Sequence, residues 1–184
     1  MKKIAGTLGL LLVLLATQVL ASSGRQSSGV SPKLTTADIP DPMKAFSFVT
    51  GTWIPDGSVK RKLSEEYSFA PILEGRFLSS EEIYKDEKGA IVYRDFAIYG
   101  TDPDTKHLFF HAYNTDGSMD RSKEVETSKA GAWIFEGTVY GSDRFKDYRY
   151  SITRIDENHM RVLIELKKDG VFSKYSETLY QRKV

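Results

Sequence analysis

Along residues 160–167 apolar and polar side chains alternate. Met160, Val162, Ile164 and Leu166 point one way, and Arg161, Glu165 and Lys167 point the other. A period of two puts successive side chains on opposite faces, so this segment predicts a half-buried antiparallel strand. Comparable runs cover Ile91 to Tyr99, Lys106 to Tyr113, Trp133 to Tyr140 and Tyr148 to Ile155. Turn-forming residues separate them at Lys88-Gly89, Asp102-Pro103-Asp104, Asp116-Gly117, Ala130-Gly131, Gly141-Ser142-Asp143, Asp156-Glu157-Asn158 and Asp169-Gly170. The signals recur every 11 to 15 residues, which fits one strand per gap and leaves no room for crossover helices. About ten strands joined by hairpins make an up-and-down meander. A meander of that length closes on itself to hide its edges. The expected fold is therefore all-β, an antiparallel up-and-down barrel over residues 41–184.

The pattern ahead of the barrel differs. Asp41 at an N-cap and Pro42 at the first helical position open a short helix, Met43 to Phe48. Its Met43, Phe46 and Phe48 can plug a core. Ser22 to Asp38 is rich in Ser, Gly and Thr and nearly devoid of large apolar residues, so residues 22–40 read as a flexible leader. Residues 1–21 read as a secretory signal peptide: Lys2 and Lys3, an apolar run from Ile4 to Ala16, then Val19-Leu20-Ala21 before Ser22. The apolar run is shorter than the roughly 20 residues of a membrane span. No stable span is expected after cleavage, and the expected address is the periplasm or the exterior.

Composition narrows the chemistry. The chain has no cysteine, so a disulfide framework and a lipobox anchor are both excluded, and stability must come from an ordinary core. Removing residues 1–21 takes two of the 26 basic side chains and none of the 25 acidic ones, leaving one excess negative charge. Nucleic-acid binding would need a clustered basic excess. The densest basic run, Lys60-Arg61-Lys62, is followed at once by Glu65 and Glu66, which reads as a charge-balanced strand edge. Ten Tyr, ten Phe and two Trp suit a pleated, half-buried surface.

No catalytic or metal-ligating set is legible. His107 and His111 share a strand face but stand about 13 Å apart, at roughly 3.3 Å per residue, too far for one metal. His159 falls in a predicted turn. No Gly-x-Ser-x-Gly elbow is present; Gly117-Ser118 and Gly141-Ser142 read as hairpin residues. Neighbours in Glu65-Glu66 and Glu81-Glu82 alternate sides of a strand and cannot act as dyads. Glu66 or Glu81 remains free to face a partner across the barrel. No catalytic residue, metal or cofactor is assigned.

Gly51-Thr52-Trp53, directly after the short helix, resembles the Gly-x-Trp signature of lipocalins and their calycin relatives. In that family an Arg on the last strand packs across the Trp ring at the closed end, and Arg182 in Tyr180-Gln181-Arg182 stands where it would. A planar guanidinium over an indole gains roughly 0.5–2 kcal/mol. The resemblance implies a structural barrel floor of Gly51, Trp53 and Arg182. More closely, Phe48-Val49-Thr50-Gly51-Thr52-Trp53, Leu73-Glu74-Gly75-Arg76-Phe77-Leu78 and Tyr99-Gly100-Thr101-Asp102-Pro103, in that order, resemble a bacterial family of uncharacterised exported or cytosolic lipocalin-like barrels. That likeness covers about residues 42 to 183 and implies a ten-stranded barrel with an interior cavity. Nitrobindin-like haem barrels share the architecture but use a His late in the chain; His159 sits in a turn, so haem is not carried over.

The sequence favours binding over catalysis. Thr178, Tyr180 and Arg182 share one face of the last strand. Either Arg182 only caps Trp53, or the inward Tyr180–Arg182 pair holds a ligand carboxylate, as fatty-acid-binding proteins of the same superfamily do. Trp133 and Phe135, with Tyr148, Tyr150 and Ile152 on the next strand, are expected to line the cavity beside Met160, Val162 and Ile164. Aromatic walls with phenol hydroxyls suit a small hydrophobic or amphipathic molecule. The expected function is an exported, monomeric or weakly dimeric carrier of such a ligand. The alternatives are an envelope isomerase or hydrolase of a lipid-like substrate, and a non-catalytic interaction module with a solid core. An inward acid beside a second polar group would mark the enzyme.

Overall fold

The structure, a computed structural model, describes residues 41–57, 63–129, 131–142 and 146–184. The signal peptide, the leader and the Lys60-Arg61-Lys62 run lie outside the described residues. A short helix α1 (Asp41–Phe46) runs into a 3-10 turn (Ser47–Val49). Ten strands follow: β1 (Gly51–Pro55), β2 (Ser64–Ile72), β3 (Phe77–Lys85), β4 (Ile91–Thr101), β5 (Leu108–Asn114), β6 (Met119–Lys129), β7 (Ala132–Tyr140), β8 (Asp147–Arg154), β9 (His159–Lys168) and β10 (Val171–Arg182). Every strand pairs antiparallel with its sequence neighbour, and β1 pairs with β10 to close the barrel. Closure leaves no unpaired edge. The helix has the length that Met43–Phe48 predicts but lies two residues earlier, and the chain tightens into 3-10 geometry over Ser47–Val49 before it turns at Gly51. No described helix is long and apolar enough to cross a membrane.

The plug closes one end of the barrel. Met43, Phe46 and Val49 are fully buried. The Phe46 ring centroid lies 5.2 Å from Tyr99 and 5.5 Å from Trp133, while Phe48 stacks on Trp133 at 5.0 Å. Trp53 is wholly buried and donates its indole N–H to the Val49 carbonyl at 2.6 Å. Arg182, directly opposite Trp53 in register, places its guanidinium 4.2 Å from the indole centroid. The same guanidinium donates to the Phe48 carbonyl at 2.9 Å and to the Thr50 carbonyl.

Gly51 explains the first letter of the Gly-x-Trp signature. Its φ is +119°, a region that side chains disfavour, and an added Cβ would stand 2.7 Å from an Arg182 guanidinium nitrogen. Conformation and space both require glycine there.

The register fixes which side chains look inward. On β2 these are Glu65, Tyr67 and Phe69; on β3 Leu78, Ser80 and Glu82; on β4 Ala97 and Tyr99. From the closed end upward the interior changes from apolar packing to polar side chains. Near the open end the usual apolar-in, polar-out rule inverts. Asp95 faces Glu82 inside the barrel, while Val92 and Phe96 on the same strand are 51% and 42% exposed outside.

Candidate functional site: a tyrosine- and acid-lined cavity

Above the packed core lies a cavity of about 360 Å³, within the size range of small-molecule sites. Its lower wall is a phenol cluster. The Tyr67 hydroxyl lies 3.0 Å from the Tyr99 hydroxyl and 2.9 Å from that of Tyr150, so three phenols satisfy one another in the interior. Phe110 packs beside them, 5.1 Å from Tyr99 and 5.4 Å from Tyr150. Tyr148 reaches Ser122 at 3.1 Å. Ala97, Ala112, Val139 and Ile164 supply the apolar part of the wall. Their small or short side chains leave the space that larger residues would fill.

The upper wall is acidic. Glu82 and Asp95 are direct cross-strand neighbours on β3 and β4, and Asp120 enters from β6 opposite Ala112. Glu65, from β2, is 95% buried beside them. The Tyr180 hydroxyl reaches Oε1 of both Glu65 and Glu82, the latter at 3.0 Å, and Tyr84 donates to the same Glu82 oxygen at 3.1 Å. A phenol has one proton to give. It can donate to only one of the two carboxyls at a time.

Burial drives the acids toward neutrality. It pushes Glu82 well above the usual carboxylate range, and the negative charges of Asp95 and Glu65 push the same way. Burial likewise raises Asp95 to about 7, opposed by a hydrogen bond from Glu82. Asp120 rises to about 6, again chiefly through burial, with Asn114 holding it down and Asp116 pushing it up. Two carboxyls facing each other across a strand pair are stable when one is neutral and donates to the other.

The sequence-predicted residues divide. Tyr148 and Tyr150 line the cavity. Trp133 and Phe135 are buried in the core, and both rings pack on Phe46. Thr178 is half-buried opposite Val162 and does not line the cavity. Tyr180 is buried and committed to the two glutamates, and Arg182 to the floor carbonyls. The carboxylate clamp drawn from Tyr180 and Arg182 is therefore not assembled. Positions i and i+2 are roughly 6.6 Å apart along a strand, and each head meets nearer partners. A ligand carboxylate brought to Tyr180 would meet Glu65 and Glu82 instead.

The acids at Glu66 and Glu81 prove to face outward, where Glu66 pairs with Lys183 at 2.5 Å and Glu81 with Arg94 at 3.1 Å. Their strand neighbours Glu65 and Glu82 are the inward pair. Sequence reasoning missed these two, with Asp95, Asp120, Tyr67 and Tyr99. The available signal was parity: Glu65, Tyr67 and Phe69 share one face, as do Tyr93, Asp95, Ala97 and Tyr99. Tyr175 carried no such signal. It is the extra residue of a bulge between Lys174 and Ser176 on β10, which brings it to the cavity rim.

His107 and His111 stand on the outer face, and no metal-binding group of three or more acids, histidines or cysteines occurs among the described residues. No family model matches the chain, and no curated protein matches it. Among solved structures the chain is similar to Rv2717c from M. tuberculosis, at a TM-score of 0.60 and 13% identity, over 80% of this chain and 100% of that one. At that identity the likeness is one of fold alone.

Proposed function

We propose that the chain is an exported lipocalin-like barrel that binds or carries a small amphipathic molecule in the cell envelope. The observation that carries this reading is the cavity of about 360 Å³ enclosed in a closed barrel, floored by hydrogen-bonded tyrosines and partly walled by Ala97, Ala112, Val139 and Ile164. Burying an apolar tail there gains about 0.8 kcal/mol per methylene. The polar upper wall fixes the head. Export rests on the signal-like segment at residues 1–21, and the lipocalin likeness on Gly51, Trp53 and Arg182. A monomer or weak dimer suffices, since the cavity is formed by a single chain. The open cavity weighs against an interaction module with a solid core.

A second reading, proton-transfer catalysis on a bound substrate, is favoured by the Glu82–Asp95 pair. An acid near 7 beside a neutral partner can give and take protons at working pH. The two readings predict different products, since a carrier returns its ligand unchanged.

The test is native mass spectrometry of the mature protein purified from its own envelope, followed by extraction of whatever is bound. A reproducible adduct that disappears in Ala112→Leu supports the carrier. An adduct converted during incubation, but not by Asp95→Asn, supports the enzyme. A clean unliganded mass, with no uptake of fluorescent amphiphiles, overturns both.

A further inference from the structure

Away from the cavity, cross-strand ladders of apolar and basic side chains cover the outer wall of β4 to β6. Nearest the open end, Phe96 faces Tyr113, Tyr113 faces Met119, and Met119 faces Tyr140 on β7. One outward position further down, Ile98 faces His111 and His111 faces Arg121; below them Phe109 faces Lys123. Tyr113 is 54% exposed and Tyr140 47%, and Val92 adds apolar surface on the same strand as Phe96. Direct neighbours in a ladder lie about 4.5–5.5 Å apart, so these side chains form one patch rather than scattered exposures.

The charge on this face is a second observation, independent of the first. The outward residues from Val92 to Ile98, Phe109 to Tyr113 and Met119 to Lys123 include Arg94, Arg121 and Lys123 and no carboxylate. The acids that flank the face are engaged: Glu81 by Arg94, Glu136 by Arg149, and Asp102 by backbone N–H groups of its own turn. Arg121 and Lys123 make no ion pair among the described residues, and the Arg121 guanidinium lies 5.7 Å from the Tyr140 ring centroid. The chain beyond residue 21 carries one excess negative charge, so this face reverses the sign of the whole.

We infer that the outer wall of β4 to β6 is a docking surface for an anionic lipid bilayer, with Phe96, Tyr113 and Tyr140 at headgroup level and Arg121 and Lys123 against lipid phosphates. Aromatic rings beside basic side chains are the combination that a membrane interface holds. The same charge argues against occupants supplied by the chain itself. A second copy meeting this face about a two-fold axis brings the same cations to both sides of the contact. Residues 22–40 hold Arg25 and Lys33 against the single acid Asp38, so they offer no negative complement. The wall of a closed barrel is also convex. A bilayer yields to a convex surface, whereas a protein partner needs a hollow of matching shape. Asn114 and Ser118, next in the chain to Tyr113 and Met119, line the cavity, so docking here sets its mouth beside the lipid. The inference goes beyond the carrier reading and does not depend on it.

The experiment is co-sedimentation of the mature chain with vesicles of phosphatidylcholine alone, and with vesicles in which about a third of the lipid is phosphatidylglycerol. Binding to the anionic vesicles is expected to be stronger by about tenfold or more and to weaken as salt rises. Arg121→Gln combined with Lys123→Gln should lose about tenfold or more of that affinity. Arg161→Gln with Lys174→Gln makes the same charge change at exposed positions on β9 and β10, across the ring from β5, and should stay within about twofold. Tyr113→Trp places an indole in the patch, and its emission should move to shorter wavelength on the anionic vesicles. Thermal midpoints confirm that each variant is folded. No binding to anionic vesicles, equal losses in the two paired variants, or an unmoved Tyr113→Trp emission overturns the inference. A dimer in sedimentation velocity that Tyr113→Ser dissociates gives the face to a second copy and overturns it equally. Amphiphile uptake measured without vesicles reads the carrier proposal separately, so either can fail alone.

Discussion

Glu82 and Asp95 face each other across β3 and β4 with both side chains turned into the barrel. Like charges directly opposite destabilise a strand pair, so the folded protein holds protons that the unfolded chain would release. The surroundings add to this. Glu65 and Tyr180 approach from β2 and β10, Tyr84 from β3, Tyr93 from β4, Asp116 and Asp120 from the β5–β6 turn and β6, and Tyr148 from β8.

The sign of the pH dependence follows. The folded pKa of Asp95, about 7, lies above its ordinary 3.8, and that of Asp120, about 6, does likewise. Between pH 4 and 7 the native state therefore binds more protons than the unfolded state, and stability falls as pH rises. Acids with lowered pKa, Asp102, Asp156 and Glu177, are exposed and act only at lower pH. The thermal midpoint should drop steadily from pH 5 to 7.5. Asp95→Asn should flatten that slope and raise the midpoint at pH 7.5, and a slope unchanged by the variant would refute the assignment.

Gly51→Ala tests the floor. The substitution must adopt a positive φ and place a Cβ only 2.7 Å from the pinned Arg182 guanidinium, which has to shift. A cost of about 1–3 kcal/mol is expected, seen as a lower urea midpoint with an unchanged slope.

Arg182 offers a graded test at the same place. Arg182→Ala removes the cation over Trp53 and leaves the Phe48 and Thr50 carbonyls without their donor. About 2–4 kcal/mol should be lost by urea denaturation. Arg182→Lys keeps the charge without the planar fork and should recover less than half. Binding by any variant that remains folded should be unaffected, because the floor lies outside the cavity wall.

Ala112→Leu adds three carbons to a wall position that is 6% exposed. Filling empty space does not overpack a core, so the midpoint should hold or rise slightly. Uptake of a fluorescent amphiphile should fall at least tenfold. Unchanged uptake would move the ligand site out of the barrel.

The barrel itself was legible because each strand buries one face. Period-two runs such as Met160 to Leu166, punctuated by Asp169-Gly170 and its counterparts, allow little other than a hairpin meander. Gly51 and Trp53 were legible because a positive φ and a buried indole impose particular residue types. The cavity was not legible in the same way. On β4 the apolar Val92 and Phe96 lie outside and Asp95 inside, so hydrophobic parity points to the wrong face at the open end. The bulge at Tyr175 shifts register where no glycine announces it. Above all, Glu65, Glu82, Asp95 and Asp120 are scattered over 56 positions of sequence. Alternation along one strand says which residues share a face; only barrel closure decides which faces of different strands meet. Strand period and turn chemistry are local and written in the sequence. The acids' proximity, and the pKa values it creates, depend on register and closure across the whole sheet, and those the tertiary structure decided.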